Sequence, residues 1–162
     1  MRPATTEKDV WQWLEDVPDP EIPVVSVVDL GMIRRVLVDG ERIEVDVSPT
    51  YSGCPATEVI ERSILTRLTE QGAAAVSVNR VLSPPWTTDW ISDAGREKLR
   101  QYGIAPPEGS ASKRELLGKP AVCCPRCGSD ETQVVSEFGS TACKASYRCT
   151  ACLEPFEYFK CI

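Results

Sequence analysis

Histidine is absent from the 162 residues of this chain. That excludes a Ser-His-Asp triad, a Cys-His dyad and any imidazole general base. It equally excludes the Glu-x-x-His di-iron bundle, the two-His facial triad and the Rieske centre. Any metal held here is held by sulfur and oxygen. No apolar run approaches the ~20 residues that span a bilayer. The opening Met1-Arg2-Pro3-Ala4-Thr5-Thr6-Glu7-Lys8 has no apolar stretch of the signal-peptide kind, so the expected location is cytoplasmic. Basic charge is scarce as well: 18 Lys/Arg against 24 Asp/Glu give a net charge of −6. Residues 1–112 carry 11 basic and 18 acidic groups, whereas residues 113–162 carry 7 and 6. An acidic body repels phosphate backbones, and the C-terminal part has no basic stripe, so nucleic-acid binding is disfavoured.

What the chain has is cysteine, eight in all. Without a leader, such a set points to reduced thiols and metal, not to a disulfide framework. Cys124-Pro125-Arg126-Cys127-Gly128 is answered by Cys149-Thr150-Ala151-Cys152, with 21 residues between Cys127 and Cys149. Each C-x-x-C places two thiolates on one tight turn, and four thiolates close a tetrahedron around one metal. Pro125 pre-sets the first turn and Gly128 relieves its backbone. The competing reading is a pair of disulfides or redox-active dithiols. Gly139-Ser140-Thr141-Ala142-Cys143 is a polar loop with a thiol of its own. Cys143 and Cys161 are a candidate second thiol site, as a second metal site, redox thiols or spares, and Cys123 has no assigned role.

Taken in order, Thr6 to Val17 reads as an amphipathic helix capped by Thr6, with Val10, Trp13, Leu14 and Val17 on one face. Asp19-Pro20-Glu21-Ile22-Pro23 is stiff and acidic, and its bland reading is a rigid connector. Val24 to Val28 is apolar and β-branched, and Asp29-Leu30-Gly31 bends the chain. Met32 to Val38 and Arg42 to Ser48 form a hairpin, where Asp39-Gly40 suits a type I′ turn. In Gly53-Cys54-Pro55, Pro55 fits the first helical position and puts Cys54 at the N-cap of a helix running to about Gln71. A thiol there feels the positive end of the helix dipole, which favours a nucleophile or soft-metal ligand; a buried, inert cysteine is the equal alternative. Ala74 to Leu82 reads as a third strand. A stiff loop carries Trp86 and Trp90, and a helix from Ser92 ends at Gly103. The domains expected are 1–105, a linker over 106–120 rich in Pro, Gly, Ser and charge, and a four-cysteine ribbon over 121–162.

Asp19-Pro20-Glu21-Ile22-Pro23, Asp29-Leu30-Gly31-Met32-Ile33, Gly53-Cys54-Pro55 and Pro84-Pro85-Trp86 resemble, in order, the motifs of the SufT-like iron–sulfur assembly family. With Phe138-Gly139-Ser140-Thr141-Ala142-Cys143-Lys144 and Phe156-Glu157-Tyr158-Phe159-Lys160-Cys161 added, the whole chain resembles the D-subunit family of bacterial phenylacetyl-CoA 1,2-epoxidase systems. The resemblance implies an α+β fold, with a small sheet packed by helices followed by a C-terminal zinc ribbon of short strands. It implies an accessory factor for iron or iron–sulfur assembly in aerobic phenylacetate degradation, not an enzyme. Cys54 would be the transfer thiolate, with Asp19, Glu21 and Asp29 as neighbours or surface contacts. Cys124, Cys127, Cys149 and Cys152 would hold a structural zinc, and any iron or iron–sulfur cluster would be transient. The partners implied are the oxygenase and reductase subunits; an exposed sheet edge also makes a homodimer plausible. The alternative is a non-catalytic docking subunit with no metal transfer. The second knuckle, ending Cys152-Leu153, lacks the glycine of the first, which favours zinc over a rubredoxin-like iron site. Whether iron, sulfide or a cluster moves, and which subunit is the client, the sequence leaves open.

Overall fold

Thr6 starts the first helix by the reciprocal bonding its type allows. Asp9 N–H donates to Thr6 Oγ1 at 3.3 Å, and Thr6 N–H donates to Asp9 Oδ2 at 2.9 Å, which satisfies two amides the helix leaves unpaired. The Thr6 hydroxyl chiefly holds the Asp9 carboxyl below its ordinary value. This is α1, Glu7–Leu14, in a computed structural model that describes residues 4–108 and 122–160. Most of the expected 106–120 linker, and Cys161, lie outside the described residues. α1 stops short of Val17 because the Asp16 and Val17 amides step back to the Trp13 and Leu14 carbonyls, a tighter turn, with Pro18 following.

The chain forms two compact units divided between Trp86 and Thr87. In the first, β1 (Ile33–Asp39) and β2 (Arg42–Val47) make the hairpin. The turn sits one residue later than expected: Asp39 pairs with Arg42, so Gly40 and Glu41 are its central residues. Only Gly40 has a positive φ, 61°, which is the type II′ pattern and not type I′. α2 (Thr57–Glu70) then leads to β3 (Ala75–Arg80), which lies parallel to β2 in the order β1-β2-β3. Ile60, Ile64 and Leu68 of α2 are buried with Val10 and Leu14 of α1 and Ile43, Val45 and Val47 of β2. On the wet face, Asp46 accepts from Arg35 Nε at 2.7 Å and Asn79 Nδ2 at 3.2 Å, stitching all three strands. The Arg35 hydrogen bond holds the Asp46 carboxyl below its usual value. Trp86 is core, 3% exposed, and its indole N–H donates to Leu30 O at 2.8 Å.

The second unit begins with a 3-10 turn, Thr88–Trp90, and α3, Asp93–Tyr102. Ser92 caps α3 by accepting from Gly95 N at 2.9 Å, as its sequence predicts, and Gly103 ends it. β4 (Ile104–Ala105), β5 (Thr132–Ser136), β6 (Lys144–Cys149) and β7 (Pro155–Phe159) form a sheet in the order β4-β7-β6-β5. β4 pairs in parallel with β7. The second compact unit therefore takes in residues 87–105, of which Ile104 and Ala105 pair with the ribbon, whereas the composition shift falls near residue 105. Among the described residues no helix is long and apolar enough to cross a membrane.

Candidate functional site

Two turns of nearly equal design present the paired cysteines. In the first, Cys124 N–H donates to Ser129 O at 2.8 Å; in the second, Cys149 N–H donates to Glu154 O at 2.9 Å. Each bond spans five residues and closes a loop around its C-x-x-C. Gly128 follows the first pair with φ 76°, and Leu153 follows the second with φ 65°. The second turn thus forms without glycine, because Leu153 takes the left-handed conformation itself. Arg126 Nη1 meets Glu154 Oε2 at 2.6 Å and ties one turn to the other.

The four sulfurs all lie within 4.8 Å of one another. Cys124 Sγ is 3.7 Å from Cys152 Sγ, and Cys127 Sγ is 3.6 Å from Cys149 Sγ. A tetrahedral zinc with bonds of about 2.3 Å needs sulfurs about 3.8 Å apart. The donor set and its spacing therefore fit one thiophilic ion. Cys124 and Cys149 are 2% and 0% exposed, within a cluster of Ala105, Val122, Phe156 and Tyr158, while Cys127 and Cys152 are exposed. The Cys152 amide donates to Cys149 Sγ at 3.4 Å, and this bond leads in holding the Cys149 thiol down to about 7. For Cys152 the Glu154 amide favours the thiolate, but burial and the thiols of Cys127, Cys149 and Cys124 outweigh it and push the group up to about 12. One thiolate forms easily and makes the next harder, until a cation joins them.

Cys143 and Cys123 belong to the same unit but not to this group of four. Cys143 is buried, with Thr141 Oγ1 at 3.0 Å from its sulfur. Its loop is fastened by Glu157, whose carboxylate accepts from Ser140 N at 2.6 Å and Ser140 Oγ at 3.1 Å and pairs with Lys144 Nζ at 3.1 Å. Gly139 lets this happen, since a Cβ there would lie 2.6 Å from Glu157 Oε1. Burial favours the neutral Glu157, but the Ser140 and Lys144 bonds outweigh it and hold the carboxyl below 4.5. Cys123 is half-buried 3.9 Å from Glu108 Oε2; burial first, then Glu108 and Asp130, push its thiol up.

Cys54 is half-buried and not the N-cap of α2; that position is Ala56, which makes no side-chain cap bond. Tyr51 to Cys54 is already a turn, closed by Cys54 N–H to Tyr51 O at 3.1 Å. A second turn follows, with Thr57 N–H and Oγ1 both donating to Cys54 O, at 3.2 and 2.9 Å. Pro55 therefore sits in a turn and the helix starts at Thr57. Asp19 Oδ1 accepts from Glu21 N and Ile22 N, both at 2.8 Å. Asp29 Oδ2 accepts from Ser26 N at 2.9 Å while Ser26 Oγ accepts from Asp29 N at 3.0 Å. Both carboxylates are buried and hold loop backbone, and Glu21 is half-buried. Among the described residues, the ribbon cysteines are the one group of three or more acidic or thiol side chains placed to hold a metal ion.

Residues 108–160 match the family described as PaaD zinc beta ribbon domain, and residues 7–79 match the iron-sulfur cluster assembly protein family. Over 154 residues, 95% of this chain and 92% of the relative, the chain is 52% identical to the Escherichia coli (strain K12) protein named as the 1,2-phenylacetyl-CoA epoxidase D-subunit. The chain belongs to this D-subunit family. It is also 40% identical over 78 residues, 47% of this chain and 88% of the relative, to the Staphylococcus aureus (strain USA300) Fe-S protein maturation auxiliary factor SufT. A Bacillus anthracis DUF59 domain of unknown function has a similar crystal structure, with a TM-score of 0.55 and 28% identity over 57% of this chain and 90% of that one. This member of the D-subunit family thus joins an α+β domain of the SufT kind to a four-thiol ribbon. Sequence reasoning missed the left-handed backbone of Leu153, the Arg126–Glu154 tie and the Glu157 hub. The first two were signalled by symmetry, as Glu154 follows Cys152 at the step by which Ser129 follows Cys127.

Proposed function

We propose that this chain is an accessory maturation factor of a multicomponent phenylacetyl-CoA epoxidase and not a catalyst of the pathway reaction. In this reading it helps deliver iron or an iron–sulfur cluster to a client among the oxygenase and reductase subunits in the cytoplasm. The observation that carries it is that the two units carry different thiols: the second gathers four at the ribbon, while Cys54 stands half-buried in a turn of the unit that matches the iron-sulfur assembly family. The ribbon holds zinc through Cys124, Cys127, Cys149 and Cys152 as a folding staple and docking surface; zinc would supply cross-linking of the two turns, not chemistry. Cys54 gives up its proton to solvent, binds incoming iron as a thiolate, and is displaced by a client ligand, so no electrons move. Asp19 and Asp29 shape the backbone of the acidic segment, and Glu21 would offer a surface contact.

Cys54→Ser tests the reading. The variant keeps its circular dichroism spectrum and its ribbon metal, while iron incorporated into the client falls by about tenfold or more, which corresponds to ~1.4 kcal/mol or more. Full client iron content and activity with Cys54→Ser would sink the proposal. A second reading, a docking component without metal transfer, is favoured by the relative's name as part of an epoxidase and by exposed Val135 and Phe138 on the ribbon. It predicts stable co-purification with the oxygenase and indifference to Cys54.

A further inference from the structure

Each sheet has two edges, and three of the four are guarded. β1 has a register shift between Ile33 and Arg35 and exposes Arg34 and Arg35. β4 is two residues long, and β5 has a register shift between Val134 and Ser136. Bulges, charges and shortness are the devices by which natural edges refuse another strand. β3 lacks them over most of its length. It pairs with β2 in unbroken register from Arg42↔Ala75 to Val47↔Arg80. Its centre, Val76-Ser77-Val78, has neither charge nor proline, and the Arg80 guanidinium at its end is engaged by Glu61 at 2.8 and 3.0 Å. Among the described residues β2 is its one strand neighbour.

The side chains at this edge are those of an unfinished core. Val76 and Val78 stand opposite Ile43 and Val45, which are buried, yet both stay half-exposed. Beside them is a hollow of about 370 Å³ lined by Glu58, Glu61, Arg62, Leu65, Val76 and Val78. On α2, Val59 and Leu65 flank Arg62 at three-residue steps, 48% and 44% exposed, so all three share one side of the helix. We infer that β3 and this side of α2 are a pairing surface for a second copy of the chain, the two β3 strands running antiparallel across a two-fold axis to give one continuous sheet. The charges of the hollow select that occupant. A partner of one sign would need a hollow of the other, but this one carries both: with Glu61 tied to Arg80, it presents Glu58 and Arg62 one helical turn apart. An isologous contact places residue i on j and j on i, so Glu58 of each copy meets Arg62 of its partner. A strand pair alone is smaller than a stable interface, and the apolar side chains of the two helices supply the remaining area.

Sedimentation velocity of the full chain at micromolar concentration tests the inference, with a dimer expected. Arg62→Glu sets acid against acid, and Val76→Lys puts a guarding charge on the edge. Each raises the dissociation constant by about tenfold or more, with circular dichroism confirming that each variant is folded. The double exchange Glu58→Arg, Arg62→Glu restores the opposite-charge contact and the wild-type association. A wild-type monomer overturns the inference, as does a dimer indifferent to both single changes. A chain whose β3 amides gain exchange protection only on addition of a client also overturns it, and assigns the edge to a foreign strand.

Discussion

The two units rest on different supports. Among the described residues, the largest fully buried side chains of the first unit include Leu14, Ile22, Leu30, Met32, Ile43, Ile60, Ile64 and Leu68, against Phe159 and Leu99 in the second. β5 leaves Val134 and Val135 in water, and the cluster behind the turns counts Cys124 and Cys149 among its own members. A core of that kind cannot repay the entropy of ordering four strands unless its thiolates are also bound to something. Apolar burial holds one unit; the other is arranged to be held by ligation. The buried Lys144, 4% exposed, paired with Glu157, specifies one loop and does not substitute for a core.

Metal removal should separate the two supports by the largest margin. Structural zinc in small modules contributes about 10–16 kcal/mol of apparent binding free energy, which is folding free energy. Chelation, or Cys149→Ser, therefore strips amide exchange protection from residues 122–160 and leaves β1, β2, β3 and α2 protected. Exchange read by mass spectrometry checks this, and loss of protection in both units at once breaks the comparison. The converse test is Ile64→Ala, at a side chain with no exposure. The cavity costs the first unit about 2–5 kcal/mol. Its unfolding midpoint in urea falls, while metal stoichiometry and the protection of β6 and β7 stay as they were.

Much of this contrast was legible in the residues. The i, i+4 stripe of Ile60, Ile64 and Leu68 announced the buried side of α2, and Thr6 and Ser92 announced their caps, because these signals act within one turn of chain. The gathering of the four ribbon cysteines was legible for the same reason: a C-x-x-C makes its own turn. What failed was register at the level of one or two residues. The hairpin turn moved from Asp39-Gly40 to Gly40-Glu41 because the pairing of whole strands, not the favoured dipeptide, sets which residues are central. Cys54 lost its capping position because a turn already formed at Tyr51 leads into another before the helix can begin. The fate of Asp19 and Asp29 was hidden for a further reason. A carboxylate near a motif looks alike in sequence whether it faces an iron or a backbone amide; here Asp19 accepts from two backbone amides and Asp29 from one.

The smallest effect sharpens the comparison most finely, because it changes one backbone conformation and almost no buried area. Gly128 and Leu153 occupy matching places after their knuckles, with φ of 76° and 65°. The left-handed region costs a residue with a Cβ roughly 1–2 kcal/mol, while glycine gives back about 0.5–1 kcal/mol of unfolded-state entropy. Leu153 is 60% exposed, so replacing it forfeits little packing. Leu153→Gly should therefore stabilise the ribbon by about 0.5–1 kcal/mol and tighten metal binding by about two- to fivefold. A Cβ at Gly128 would meet nothing within 4 Å, so Gly128→Ala isolates the same backbone term with the opposite sign, at a cost of about 1 kcal/mol. Competition with a chromophoric chelator reads both, and the urea midpoint of the first unit moves in neither. If Leu153→Gly instead weakens the metal, the leucine side chain has a contact that outweighs its strained backbone, and the two knuckles are not equivalent.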